Sequence, residues 1–225
     1  RQFVTGEVLC AQARAVELAK LSENAFRDVN IAFANELSMI CDRLDIDVWE
    51  TIRLANCHPR VNILQPGPGV GGHCIAVDPW FIVSSAPEDA KLIRTAREVN
   101  NSKPDFVVQK VKEAVTQFRE EPKIACLGLS YKPDTDDLRE SPALKVVEKL
   151  LSNRIGTLLV VEPHLNELPS SLAQTGDLKI LELEDALYKC DIVLFLVKHK
   201  KFSQIDSKLF KGKLCLDIVG NLNSI

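Results

Sequence analysis

Lys123-Ile124-Ala125-Cys126-Leu127-Gly128-Leu129 follows directly on Glu121-Pro122, and the chain changes its periodicity there. Upstream, apolar residues recur at three- and four-residue steps, the spacing of amphipathic helices. From this stretch onward they come in short runs, at 123–129, 157–161, 178–181, 192–197 and 213–219. Such runs, rich in Val, Ile and Leu and separated by polar or helical stretches, read as strands buried on both faces of a parallel sheet. Ser141-Pro142 caps the clearest intervening helix, 143–151. The sequence therefore predicts an all-helical unit over 1–120 and a Rossmann-like parallel α/β unit over 121–225.

Working back from that boundary, residues 8 to about 41 contain no Pro and no Gly, and Val16, Ala19, Phe26, Val29, Phe33, Leu37 and Ile40 keep a helical step. They predict one long first helix. Asp47 with Glu50 three residues later opens a second helix at 48–56, which Pro59 ends. A further helix is expected from Ser85, Pro87 and Glu88 to about Asn100. Another is expected from Ser102 and Pro104 to about Phe118.

Composition narrows the function classes. The chain has 225 residues, 46% hydrophobic and 26% charged, with a formal charge of 28 − 31 = −3. That is a folded globular composition without the basic excess of a nucleic-acid binder. The longest wholly apolar run is the six residues 192–197, against roughly 20 for a membrane-spanning helix. Seven cysteines, an odd number without a CxxC pair, fit a reducing cytoplasm. The N-terminus shows no secretory pattern and does not begin with Met, so the chain is expected to be a piece of something longer.

Between the helices lies a Pro- and Gly-rich loop, Gln65-Pro66-Gly67-Pro68-Gly69-Val70-Gly71-Gly72-His73-Cys74. Its GxGxxG at 67–72 imitates a dinucleotide fingerprint, but no strand precedes it and no clear helix follows, so that reading fails on context. Glycines do permit close backbone approach and bends that aim the residue after them, which makes Cys74 the candidate nucleophile. The other six cysteines read as small buried hydrophobes or, for Cys57, a helix end. No HxxxH or HExxH spacing supports a metal, and none is expected. Lys20, Asn24 and Arg27, at i, i+4 and i+7, share one face of the long helix with Asn35 farther along. Asp78, before Pro79, reads as a turn residue. The loop 130–140 follows the first strand of the second unit, where ligands bind in open α/β sheets, and Lys132 and Arg139 there can meet phosphate or pair with nearby acids.

Lys20-x3-Asn24, Asn35-Glu36, Gly69-Val70-Gly71-Gly72-His73-Cys74-x3-Asp78 and Tyr131-Lys132-x2-Thr135-Asp136-Asp137-x-Arg139-Glu140-Ser141-Pro142 together resemble the nucleotide-sugar 6-dehydrogenases, the UDP-glucose/GDP-mannose dehydrogenase family. UDP-glucose dehydrogenases carry Pro-Lys between the cysteine and the aspartate, where this chain has Ala76-Val77. The segments 26–38, 58–69 and 78–83 look like the branch acting on UDP-N-acetylhexosamines. The resemblance covers nearly the whole chain and implies a helical dimerisation domain followed by a UDP-binding domain. The family's N-terminal NAD-binding domain, with its catalytic glutamate, is absent, so this piece alone is expected to be inactive.

The implied chemistry is two hydride transfers from C6 of the sugar to NAD, with Cys74 as nucleophile, Lys20 as acid/base, and Asn24 and Asp78 positioning water and the lysine. By the same resemblance Arg27, His58, Arg60 and the Gly71 backbone contact the sugar, Arg60 from the neighbouring subunit. Tyr131 and Lys132 match positions that bind UDP, and Arg139 one that meets NAD. The implied partners are a UDP-sugar and a second copy of the chain, paired through the long helix.

Overall fold

The computed structural model describes residues 6–173 and 178–222; the opening residues of the N-terminal reading (1–5) and the last three of the second unit (223–225) lie outside them. Four helices come first: α1 (Ala13–Arg43), α2 (Val48–Ala55), α3 (Asp78–Ser85) and α4 (Lys91–Val115). The α/β half follows as β1 (Lys123–Leu127), α5 (Pro142–Ser152), β2 (Thr157–Val161), α6 (Ser170–Ala173), α7 (Leu183–Lys189), β3 (Ile192–Phe195) and β4 (Leu214–Asp217). All strand pairs are parallel, in the order β2-β1-β3-β4. Helical and α/β halves, a long first helix and a parallel sheet all match the expectation.

Several details differ. The first helix begins at Ala13, not near Val8: Gln12 caps it without a side-chain bond, and residues 6–12 are all exposed, so neither a cap nor packing stabilises an earlier turn. The two helices expected on either side of residue 101 are one, α4, with Pro104 inside it. Proline removes the bond to the Asn100 carbonyl, and the glycine loop packs on that spot: a Cβ at Gly69 would lie 2.9 Å from the Asn100 oxygen and 3.6 Å from Pro104 Cδ. Buried Asn100 and Lys103 anchor the helix on either side, so tertiary contact overrides the local break. Helix α3 was not expected; Asp78 is its first residue, and Pro79 sits in the first turn, where its missing N–H costs nothing. The run at 178–181 forms an isolated bridge, Val160 with Ile180, and no strand.

The sheet is buried on both faces, as alternation along β1 shows. Ile124 and Cys126 pack with α4 and α5, while Ala125 and Leu127 pack with α7 and Phe202. Helix α4 thus belongs to both halves: its N-terminal part faces α1 through Arg97 and Asn100, and its C-terminal part, Val107 to Ala114, joins the sheet core.

Candidate functional site

Strand order reverses between β1 and β3: the chain leaves β1 to form β2 on one side, then returns to form β3 and β4 on the other. The loops beyond the carboxyl ends of β1 and β3 therefore diverge and leave a crevice, the usual ligand position in such sheets. A cavity of about 450 Å³ lies there, walled by Ser130, Tyr131, Lys132 and Lys198 from the sheet, Arg27 and Ile31 from α1, and the loop 64–69. It is a cleft between the two halves, with apolar walls and three cations.

The glycine bend forms the next wall. Gly71 is pressed against the α/β half, a Cβ there falling 2.5 Å from the Glu140 carbonyl. Gly72 has φ +84 and donates its N–H to the Arg139 carbonyl at 2.9 Å, under the Tyr131 ring. A side chain at either position would push the bend off its seat. Gly71, whose backbone is an expected sugar contact, is buried with its Cα packed against the α/β half. Immediately beyond, Cys74 is exposed, and its carbonyl accepts the Val77 and Asp78 amides at 3.0 and 2.8 Å to start α3.

Helix α3 sets Asp78 against α1, where Asn24 Nδ2 donates to Asp78 Oδ2 at 2.5 Å. Lys20 stands one turn earlier on α1, its Nζ 2.8 Å from Glu23. The Glu23 carboxylate, by hydrogen bond and charge, raises the Lys20 amine, and Cys74 and Asp78 add to it. Lys20, Asn24, Cys74 and Asp78 are in this way brought into one neighbourhood from three stretches of sequence. Arg139 also feels Cys74 electrostatically, but its guanidinium is held by Asp137 at 2.6 Å. That pairing pulls the Asp137 carboxyl down to about 2.

Lys132 lies over the Tyr131 ring, 5.3 Å from its centroid, and both line the crevice with Arg27. His58 and Arg60 are not brought to it. They form an exposed turn after α2, where His58 Nδ1 accepts the Arg60 amide at 3.3 Å. Asn35 turns away from the polar face assigned to it: it is buried, with Oδ1 accepting the Gly67 amide at 2.8 Å and Nδ2 donating to Asn100 Oδ1 at 2.9 Å. It ties the glycine loop to α1 and α4.

The sequence reading missed Ile31, Leu64 and Lys198 in the crevice, and Glu162 and His199 beneath it. The last pair was detectable: each is a charged or titratable residue just past an apolar run, where a strand ends. His199, His164 and Asp134 also offer ligand atoms within 4.8 Å of one another, a grouping invisible in spacing. Yet His199 Nδ1 already accepts the Asp134 amide at 2.9 Å, so the lone pair a cation would use is spent. As for a dinucleotide, the 67–72 glycines pack against Tyr131, Glu140 and Pro142 instead of opening a helix; Arg139 is exposed and paired with Asp137.

A nucleotide-type crevice at the switch point of a parallel sheet, flanked by a helical platform that presents an exposed thiol, defines a two-part nucleotide-binding module. Family models match both parts: the UDP-glucose/GDP-mannose dehydrogenase family central domain over residues 14–102, and the same family's UDP binding domain over 125–224. The chain belongs to this family. It is 60% identical over 205 residues to a UDP-N-acetyl-D-mannosamine dehydrogenase of Campylobacter jejuni, covering 91% of this chain and 50% of that protein. It is 57% identical over 218 residues to an NDP-N-acetyl-D-galactosaminuronic acid dehydrogenase of Ralstonia solanacearum, covering 97% and 51%. Among solved structures, the UDP-D-ManNAc dehydrogenase of Pyrococcus horikoshii superposes with a TM-score of 0.84 at 37% identity, covering 97% of this chain and 51% of that one. The chain spans about half the length of the relatives it matches. No helix among the described residues is long and apolar enough to cross a membrane.

Proposed function

We propose that the chain is the dimerisation and UDP-binding part, divided near residue 120, of a cytoplasmic NAD-dependent dehydrogenase that oxidises C6 of a UDP-N-acetylhexosamine, UDP-N-acetyl-D-mannosamine first. The observation that carries the reading is the exposed Cys74 thiol beside Lys20 and the Asn24–Asp78 pair, just past the glycine bend that packs against Tyr131, which with Lys132 lines the crevice. NAD would be held mainly by a domain outside this chain, with Arg139 meeting it from this side, and would supply the hydride acceptor for the two oxidations.

The residues of this chain explain why a primary alcohol goes to a carboxylate. An aldehyde offers no hydride until a nucleophile adds to it. The Cys74 sulfur forms a bond to C6, and the carbonyl electron pair moves to oxygen, where the Lys20 ammonium stabilises the charge and supplies the proton. As the thiohemiacetal loses its C6 hydride, its hydroxyl proton returns to the Lys20 amine and C=O is restored as a thioester. Water, oriented by Asn24 and Asp78, then adds; the C–S bond breaks, releasing the thiolate and the carboxylate, and the two protons of the water pass to solvent. Arg27 and the crevice cations balance the diphosphate.

On α1, Phe26, Phe33 and Ile40 are 73%, 55% and 49% exposed at seven-residue spacing, the pattern of a helix–helix seam. They support a homodimer through the long helix, in which Arg60 serves the partner's sugar site, with Arg27, His58 and the Gly71 backbone as further sugar contacts. The test is turnover by the full-length protein on a panel of UDP-sugars, including the galacto epimer, followed by NADH. Turnover of UDP-glucose equal to UDP-N-acetylmannosamine would overturn the substrate assignment. Cys74→Ser is expected to lower uronate formation by about 10³-fold or more with substrate binding retained.

A further inference from the structure

The crevice rests on a buried ionic group that the proposed chemistry does not use. Glu162, the first residue past β2, and His199, in the loop after β3, are 2% and 0% exposed. Glu162 Oε2 accepts the Leu129 and Ser130 amides at 2.7 and 3.1 Å, and Oε1 accepts the His164 amide at 3.1 Å. His199 Nδ1 accepts the Asp134 amide at 2.9 Å, which leaves the ring proton on Nε2, facing Glu162 Oε2 at 3.2 Å and Ser130 Oγ at 3.3 Å. Ser130 Oγ in turn donates to the Lys132 carbonyl at 2.8 Å. Phe202 closes the remaining side, its ring edge-on to the imidazole at 5.2 Å. Burial by itself raises the Glu162 carboxyl, but the bonds from His199 and the Leu129 amide outweigh it and hold it below the usual range, so it stays ionised.

A buried charge network is a poor way to stabilise a sheet, since apolar packing does so at lower desolvation cost. What this one does is geometric. The amides of Leu129, Ser130 and Asp134 are all fixed, so the loop is pinned on both sides of Tyr131 and Lys132, the two residues that project into the crevice. We infer that Glu162 and His199 are positioning residues for nucleotide binding: the pair clamps the backbone at 129–134 so that Tyr131 and Lys132 are preorganised for a nucleoside diphosphate. The inference rests on the assignment of that crevice to UDP.

Side-chain amides separate the clamp from general stability. Asn places its oxygen where His carries Nδ1, and Gln reaches only to the position of Nε2. His199→Asn therefore keeps the acceptor for the Asp134 amide, whereas His199→Gln keeps the Glu162 contact and loses that acceptor. UDP titrated calorimetrically into the whole chain is expected to bind His199→Asn within about threefold of the unsubstituted protein, and His199→Gln more than about tenfold more weakly. Amide hydrogen exchange at Asp134 should rise only in His199→Gln. If His199→Gln does not fold, Ser130→Ala, which removes the ties to the Lys132 carbonyl and to His199 Nε2 but leaves every amide held by Glu162 and His199 in place, is expected to weaken UDP about threefold or more at an unchanged melting temperature. Full UDP affinity in a His199→Gln protein whose Asp134 amide has become exchangeable would overturn the clamp, as would unchanged affinity in Ser130→Ala. Lys132→Ala binding UDP like the unsubstituted chain, or no UDP binding at all, would instead remove the crevice assignment and the clamp with it.

Discussion

The two halves are built from opposite materials. Around β1 and β3 the core is aliphatic: Ile124, Leu127, Val146, Leu150, Ile192 and Leu194 are all fully buried. Between α1 and α4 the buried residues include Asp28, Asn35, Ser38, Arg97, Asn100 and Lys103, with alanines, Cys41 and Pro104 among them. Arg97 Nη1 bonds Asp28 Oδ1 at 2.7 Å, Asn100 joins both to Asn35, and Lys103 donates to Ser38. Burial outweighs Arg97 and raises the Asp28 carboxyl. The sheet half is closed by its own helices and by the C-terminal part of α4. The helical half uses its interior to hold a loop in place and turns its large apolar residues, Phe26, Phe33 and Ile40, outward.

The contrast can be broken at the seam first. Phe26→Glu with Phe33→Glu puts two charges on the outward stripe of α1 while touching no buried group of the chain, and is expected to weaken self-association by about 10³-fold or more, read by sedimentation across concentration. A dimer of unchanged affinity would place the partner contact elsewhere. Next in size, Leu194→Ala removes a fully buried side chain from the sheet core and should cost about 3 kcal/mol in denaturant unfolding.

The helical half should respond with the opposite sign at one site. Burial lowers the Lys103 amine to about 8, whereas the unfolded chain keeps it near 10.5, so below pH 8 the native state carries a charge it holds poorly. That penalty is complete under pH 8 and fades as pH rises from 8 towards 10.5. Lys103→Met is therefore expected to stabilise by up to about 3 kcal/mol at pH 7, with the gain shrinking over that window; a gain that grows with pH would refute the account. Smallest of the set, Asn35→Ala strands the Gly67 amide and the Asn100 oxygen and should cost about 2 kcal/mol, accompanied by faster exchange at Gly67.

Much of this was legible in order along the chain. Apolar runs located the four strands because each run is buried in the sheet, helical spacing located α1 although its large apolar residues Phe26, Phe33 and Ile40 face outward, the Asp47 cap located α2, and the glycine bend pointed to Cys74 because only glycine tolerates the approach at 71 and 72. Where reading failed, long-range contact had replaced a local rule. Pro104 does not break α4, because Asn100 and Lys103 in the turn before it are tied to α1. Asn35 looked like a member of the solvent-facing polar stripe, yet its partners are 32 and 65 residues away. Asp78 read as a turn residue because nothing nearby in sequence shows that Asn24 is its partner.

By itself, the sequence determined the two-part organisation, the parallel sheet, the thiol-bearing bend and the family resemblance, since periodicity, turn chemistry and motif order are properties of neighbours along a chain. Only the tertiary structure decided that the crevice opens between β1 and β3, that Lys20, Asn24, Asp78 and Cys74 come into one neighbourhood, and that Glu162 and His199 lie buried together behind the loop 129–134. Those facts depend on which strands lie side by side and which buried amides need an acceptor, and both are settled when the helices and the sheet pack together.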